Sequence, residues 1–431
     1  MRGSTADNKT FTAAALNLML SAAKQYEMRT DMDSVFNISD FKEYGKNAIQ
    51  AAVDACEKAG GGAVHVPAGE WRSGPIHLKS NIRLCLEEGS VIRFSHRPED
   101  YLPVVFTRWE GCECYNYSPL IYARDCENIS VTGKGTLIGS GESWWSWKKL
   151  QQAAAEKLCH AQFNGVPVSK RIFGTEEAAL RPSFVQFINC KNILLEGFTI
   201  TDGPQWTIHP VYCEDVIIRD IDVLTHGPNT DGLNPDSCKN VLIENCAFDT
   251  GDDCIAINSG MNEDGWRVNR PCENIEIRNC QMNGGHGGLT IGSAMSGGVR
   301  NIHAHNCRIQ GTWQGIRLKS MRGRGGYVDN AVFENLEIIQ VSEQAIQINM
   351  FYEASTVIPK SNSPSDFKNI VVRNISGKSA GTGIEIKGLP EHKLRNISLE
   401  NIRLSAGNAF FCDNVENLSM KNVEIRPHHR P

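Results

Sequence analysis

From Asn128 onward the chain repeats one short alternation of polar and apolar positions. The segments are "NVLIEN" at Asn240, "NIEIRN" at Asn274, "NIHAHN" at Asn301, "NAVFEN" at Asn330, "NIVVRN" at Asn369, "NISLEN" at Asn396 and "NLSMKN" at Asn417. Each runs Asn, four residues, Asn, with apolar side chains at every second place. Looser copies precede them: "NISVTG" at Asn128, "NILLEG" at Asn192 and "DVIIRD" at Asp215. Period-two alternation over such short runs predicts strands. Their recurrence every roughly 21–39 residues is the spacing of solenoids and propellers. A propeller would need four strands per blade and Trp-Asp-like signatures, which are missing. The pattern therefore predicts an all-β fold, a right-handed parallel β-helix of about ten coils stacked ~4.8 Å apart. Asn tolerates the left-handed bend between strands. Repeated on every coil, it should also stack into a hydrogen-bonded ladder.

The flanks read differently. "GKNAIQAAVDACEKAGGGAVHVPAGEW" predicts an amphipathic helix ending at Gly60–Gly62 and then a strand. Such a helix would cap the open end of the solenoid, where apolar core and strand edges are otherwise exposed. Gly139–Ser183, with "SWWSW" and few repeat features, should leave the coils as a loop structure on one face. Near the N-terminus, "FTAAALNLMLSAA" (Phe11–Ala23) reads as an amphipathic helix. Asn17 interrupts it and no cleavage site follows, against a signal segment. "MRGS" looks like an expression-vector leader. The expected organisation is an N-terminal helical segment or tag remnant over 1–34, then a single β-helix domain over 35–431.

Composition narrows the function classes. Net charge is −5 over 431 residues with no long basic run, which argues against a nucleic-acid partner. No apolar stretch is long enough to insert into a membrane. The 15 cysteines do not read as a disulfide framework. Cys126, Cys190, Cys213, Cys238 and Cys272 each stand two residues before the Asn or Asp that opens a strand. Cys246, Cys280 and Cys307 each follow the Asn that closes one, so they read as buried small hydrophobes. The two neighbouring cysteines of "GCECY", Cys112 and Cys114, are the only such pair outside that pattern. Oligomeric state is not legible.

The repeat also aligns the chain with itself. "CAFDTGDDCIAI" from Cys246 overlays "CQMNGGHGGLTI" from Cys280 and "CRIQGTWQGIRL" from Cys307 without a gap. With a small insertion one coil earlier, Trp206, Asp231, Asp253 and Gln314 share a column. Asp252 and His286 lie beside it, and His209 aligns with Arg317, near Lys319. A lone Gly-Asp-Asp is more often an ordinary turn. Three carboxylates, one His and two cations on one patch point to chemistry. Crowded carboxylates raise the pKa of at least one, supplying the acid that glycoside hydrolysis needs. Calcium would want more oxygen ligands and less competing positive charge. Arg317 and Lys319 suit an anionic substrate better.

At these residues the sequence resembles the polygalacturonases of glycoside hydrolase family 28. The motifs are "NTDG" (Asn229–Gly232), "GDD" (Gly251–Asp253), "GHG" (Gly285–Gly287) and "RLK" (Arg317–Lys319). The resemblance implies a right-handed β-helix that hydrolyses α-1,4-galacturonosyl bonds of pectin with inversion and needs no metal or cofactor. By it, Asp252 is the general acid, Asp231 and Asp253 activate water, and His286 supports the acid. Arg317 and Lys319 would hold a galacturonate carboxylate, with Asn229, Trp206, His209 and Gln314 as further substrate contacts. "GDDCIAI" and the long excursion look like the exo-acting branch, and Asp253 favours galacturonan over rhamnogalacturonan. Alternatives are an endo-acting or rhamnogalacturonan-active hydrolase, a calcium-dependent pectate lyase, or a non-catalytic carbohydrate-binding β-helix. The family implies a secreted or periplasmic location, and a cytoplasmic one stays open.

Overall fold

The computed structural model describes residues 34–352 and 363–427. The expected helix at 11–23 lies outside them. Strands dominate, and 25 of them belong to one continuous hydrogen-bonded system. Every strand pair in that system is parallel, as a β-helix requires.

Each coil contributes up to three strands, and coils stack to form three sheets. The first sheet holds the Asn-flanked segments: Lys191–Glu196 pairs with Glu214–Arg219, which pairs with Lys239–Glu244 and then Cys272–Arg278. The second sheet follows a sharp bend and includes Asp222–Thr225, Ala247–Thr250 and Gln281–Asn283. The third includes Ile255–Ile257, Gly287–Ile291 and Gln314–Lys319. Alternate side chains point inward, so Val241, Ile243, Ile275 and Ile277 fill the interior of their coils.

The expected ladder forms, and it forms twice. Asn274 Nδ2 donates to Asn240 Oδ1 at 2.9 Å, Asn301 to Asn274 at 3.1 Å and Asn330 to Asn301 at 2.9 Å. The closing Asn residues repeat this at the bend into the second sheet, with Asn374 on Asn335 and Asn401 on Asn374, both at 3.0 Å. Asn240, Asn245, Asn274 and Asn279 all take φ between 55° and 60°, the left-handed region where Asn costs least. The sequence repeat is thus a repeat of bends. All fifteen cysteines are unpaired, and those of the repeat pack inside the coils, apart from Cys126 at its first, partly exposed rung.

The helix Ala48–Lys58 caps the first coils with Ala48, Ile49, Ala52, Val53 and Cys56 buried, as the periodicity requires. The excursion is more ordered than expected. It contains helices Glu142–Trp145, Trp147–Leu150 and Gln152–Phe163. Trp144 packs edge-on against Tyr101, Tyr117 and Trp147, wholly buried. It anchors the excursion and offers no face to a sugar. Trp145 donates to Gly203 O at 3.0 Å, while Lys148, Lys149 and Lys170 are exposed.

Candidate active site

The third sheet assembles the site by register. Ile255 pairs with Leu289 and Leu289 with Ile316. Bridges from Ile208 to Leu233 and from Leu233 to Ile255 extend the same register toward the N-terminus. Trp206, Asp231, Asp253, Gly287 and Gln314 therefore stack in one column. His209, Asn234, Ala256, Thr290 and Arg317 form the next outward-facing row. The self-alignment of the sequence has this register.

Asp253 is buried at the centre. Its Oδ2 accepts from Lys319 Nζ at 2.8 Å, and Arg317 Nη1 stands 3.4 Å from its Oδ1. The Gly287 N–H donates to the same Oδ1 at 2.8 Å. A Cβ at 287 would lie 2.7 Å from that oxygen and 2.2 Å from Thr290 Oγ1, so only Gly fits. Burial alone would raise the Asp253 pKa, but Lys319 and Arg317 outweigh it and hold the carboxylate below its ordinary range.

Asp231 experiences the reverse. Burial, then the charges of Asp252 and Asp253, push its pKa well above a normal carboxylate. Asn234 Nδ2 at 2.9 Å and the more distant Lys319 offset only part of this. Asp231 is thus biased toward its protonated form. Asp252 is less buried, and its Oδ1 lies 2.8 Å from His286 Nδ1. Each member of the trio presents an oxygen within 4.8 Å of the others. That is closer than the ~6.5–9.5 Å typical of an inverting pair. Asp231 and Asp253 come this near by stacking on successive coils at the strand spacing, and Asp252 by preceding Asp253 in the chain. A cation could reach all three, but Lys319 and Arg317 already neutralise Asp253, which makes this a poor calcium site.

Other sequence-derived residues fare unequally. Asn229 sits at φ 55° with its Oδ1 accepting from Arg181 Nη2 at 2.8 Å. Gln314 is buried and its amide donates to Glu343 and to Gln344. Trp206 is nearly buried, edge-on to His209. His209 does not reach the groove: it is 0% exposed, with Nδ1 2.8 Å from Gln186 Nε2 and Nε2 3.5 Å from Asp236 Oδ2. Asp236 is in turn 3.0 Å from the buried Arg108, so His209 belongs to an internal ion network rather than to a substrate contact.

Three residues escaped the sequence reading. Trp313, 47% exposed, lies over His286 with ring centroids 3.9 Å apart. Its signal was present, since it directly precedes Gln314 and so falls in the column of Asp252 and His286. Tyr352 lies under both cations, 5.1 Å from Lys319 Nζ and 5.7 Å from the Arg317 guanidinium carbon. Arg181 is wholly buried and clasps the turn before Asp231, donating to Pro204 O at 3.0 Å and Pro228 O at 2.6 Å. Burial pushes its pKa down to about 10. Among the described residues, Asn234 Oδ1, Thr290 Oγ1 and Arg317 Nε are buried without a protein partner, all in one row of the site. In native proteins such groups are usually met by water, an ion or a ligand.

The model of the glycosyl hydrolases family 28 matches residues 56–423, and the chain belongs to that family. It is a glycoside hydrolase of the polygalacturonase type. The crystal structure of a hyperthermoactive exopolygalacturonase from Thermotoga maritima superposes with a TM-score of 0.87 at 38% identity, covering 94% of this chain and 96% of that one. A probable polygalacturonase of Vitis vinifera is 27% identical over 402 residues, 89% of this chain and 76% of that protein. An exo-poly-alpha-D-galacturonosidase of Dickeya chrysanthemi is 25% identical over 400 residues, 83% of this chain and 65% of that protein.

Proposed function

We propose that the protein removes galacturonate units from the non-reducing end of pectic galacturonan, by inverting hydrolysis. Asp252 donates the proton to the glycosidic oxygen, while Asp231 and Asp253 draw the proton from the attacking water. In this mechanism the proton is on Asp252 at the moment of attack and Asp231 is ionised. The oxygens are close enough for the carboxyls to titrate as a set. Arg317 and Lys319 bring two positive charges against the single charge of Asp253. The surplus suits the carboxylate of a galacturonate ring.

The observation that carries the exo reading is where the excursion sits. Gln151 accepts from Arg181 at 3.0 Å, and Arg181 clasps the Asn229 turn. Trp145 packs against Gly227. Both belong to the excursion, and both close on the end of the site that precedes Asp231. A polymer would meet this wall and enter by one terminus only. Chromatography of polygalacturonate digests over time tests it. Free galacturonate should appear first, with viscosity falling slowly relative to reducing ends formed. An early ladder of mid-length oligomers would sink the exo reading. NMR of the first product tests inversion: a β-anomer is expected. The measurement is decisive because oxygens of the trio lie within 4.8 Å of one another, closer than the ~6.5–9.5 Å typical of inverting pairs.

A further inference from the structure

The first sheet carries a second cluster of chemically capable side chains, away from the groove. In the outward column the apolar stretch from Leu194 to Val371, flanked by Ser130 and Ser398, is interrupted at two neighbouring rungs, Glu276 and His303. In the adjacent column charges alternate in sign from Glu196 to Arg278 and again from Glu334 to Lys421, with His305 interposed. His303 and His305 are two apart on one strand, so both imidazoles leave the same face. Their rings stack with centroids 4.5 Å apart.

We propose that Glu276, His303 and His305 bind a divalent transition-metal ion of the zinc class, completed by solvent or by Glu334. One ligating atom from each of the three lies within 4.8 Å of the others. His305 Nε2 is 3.2 Å from Glu276 Oε1, close to the ~3.3 Å between two ligands of a tetrahedral zinc with bonds of ~2.0–2.1 Å. His303 Nε2 is 2.7 Å from Glu334 Oε1. Small side-chain rotations would bring the remaining donors in. Two imidazoles and a carboxylate are the donor set that suits zinc, nickel or cobalt. The nearby arginines do not take Glu276 away. Arg278 is committed to Glu244 through contacts of 2.6 and 2.9 Å and only approaches Glu276 at 3.5 Å. Arg373 holds Glu334 at 2.5 Å. All four acidic and imidazole groups are more than three-quarters buried, which limits competition from water.

The test is titration of chelator-stripped full-length protein with Zn²⁺ and with Co²⁺. One equivalent should bind saturably, and bound Co²⁺ should show visible d–d bands. No near-ultraviolet thiolate charge-transfer band should appear, which separates the site from the many cysteines. His305→Asn and Glu276→Gln should each weaken binding by more than the ~10–100-fold that loss of an orienting partner costs. Circular dichroism would confirm that each variant is folded, and either variant alone suffices for attribution. Hydrolysis by the stripped protein should stay within about twofold of the loaded form, because the cluster is on a different sheet from the groove. No saturable binding, a thiolate band, or unchanged affinity in a folded variant would overturn the assignment and leave two His–Glu ion pairs.

Discussion

The outer column of the first sheet and the groove column of the third are built on the same in-register stacking but arrange charge in opposite ways. Outside, Glu196, Arg219, Glu244 and Arg278 alternate, with Arg219 to Glu196 and Arg278 to Glu244 both at 2.6 Å. In the groove, Asp231 and Asp253 stack carboxylate on carboxylate, with Asp252 beside them. A register that places equivalent positions ~4.8 Å apart favours alternating signs and penalises like ones. The groove therefore gives up stability that the outer ladder gains. Its compensation is local: Lys319 and Arg317 favour the ionised form of Asp253, while Asp231 is biased toward its neutral form.

Breaking the groove chemistry should produce the largest effect. Asp252→Asn removes the proton donor and should lower kcat by ~10²–10⁴ or more while thermal unfolding stays near wild type. Activity within tenfold of wild type would remove Asp252 from that role. Next, Asp253→Asn leaves two cations buried without their carboxylate and should cost about 3 kcal/mol in denaturant unfolding. Because the folded protein holds Asp253 below its unfolded pKa of ~3.9, its stabilisation is present above that value. It fades as pH falls through the folded value, so the deficit of the variant should shrink in acid.

Asp231→Asn should act with the opposite sign. Asp231 is held above its unfolded pKa, so the penalty is absent in acid and grows as pH rises from ~3.9 toward the folded value. The inactive variant should therefore be more stable than wild type at pH 7, with no gain near pH 3. A destabilised Asp231→Asn at pH 7 would mean that the carboxylate is ionised and well paired at rest. Smallest should be Glu244→Gln in the outer ladder, where a partly exposed pair contributes ~0–1 kcal/mol and less in high salt. A loss above 2 kcal/mol would show that the ladder is a cooperative network.

The coil architecture and the site register were legible because both follow from periodicity. Asn240 and Asn274 announce the bend, and the bend fixes which residues stack. His209 marks where this reasoning stops. Its column position was read correctly, yet what surrounds it depends on Arg108 and Asp236, and Arg108 is 101 positions from His209 in sequence. The burial of Trp144 was hidden for the same reason, since its pocket is made by Tyr101 and Tyr117 in an earlier part of the chain. Arg181 lies in no repeat, so nothing periodic marks it. Repetition predicts what faces where; it does not predict what an insertion brings to cover it.

The interior thiols have a consequence for how opening of the solenoid could be followed. Cys190, Cys213, Cys238 and Cys272 occupy one rung each, buried and unpaired, on consecutive coils. A thiol reagent reaches such a group only when its own coil opens. The chain thus has a set of internal clocks spaced one coil apart. Mapping which cysteines are modified after a brief pulse would distinguish peeling from an end, where labelling advances along the chain, from all-at-once unfolding, where every rung is labelled together.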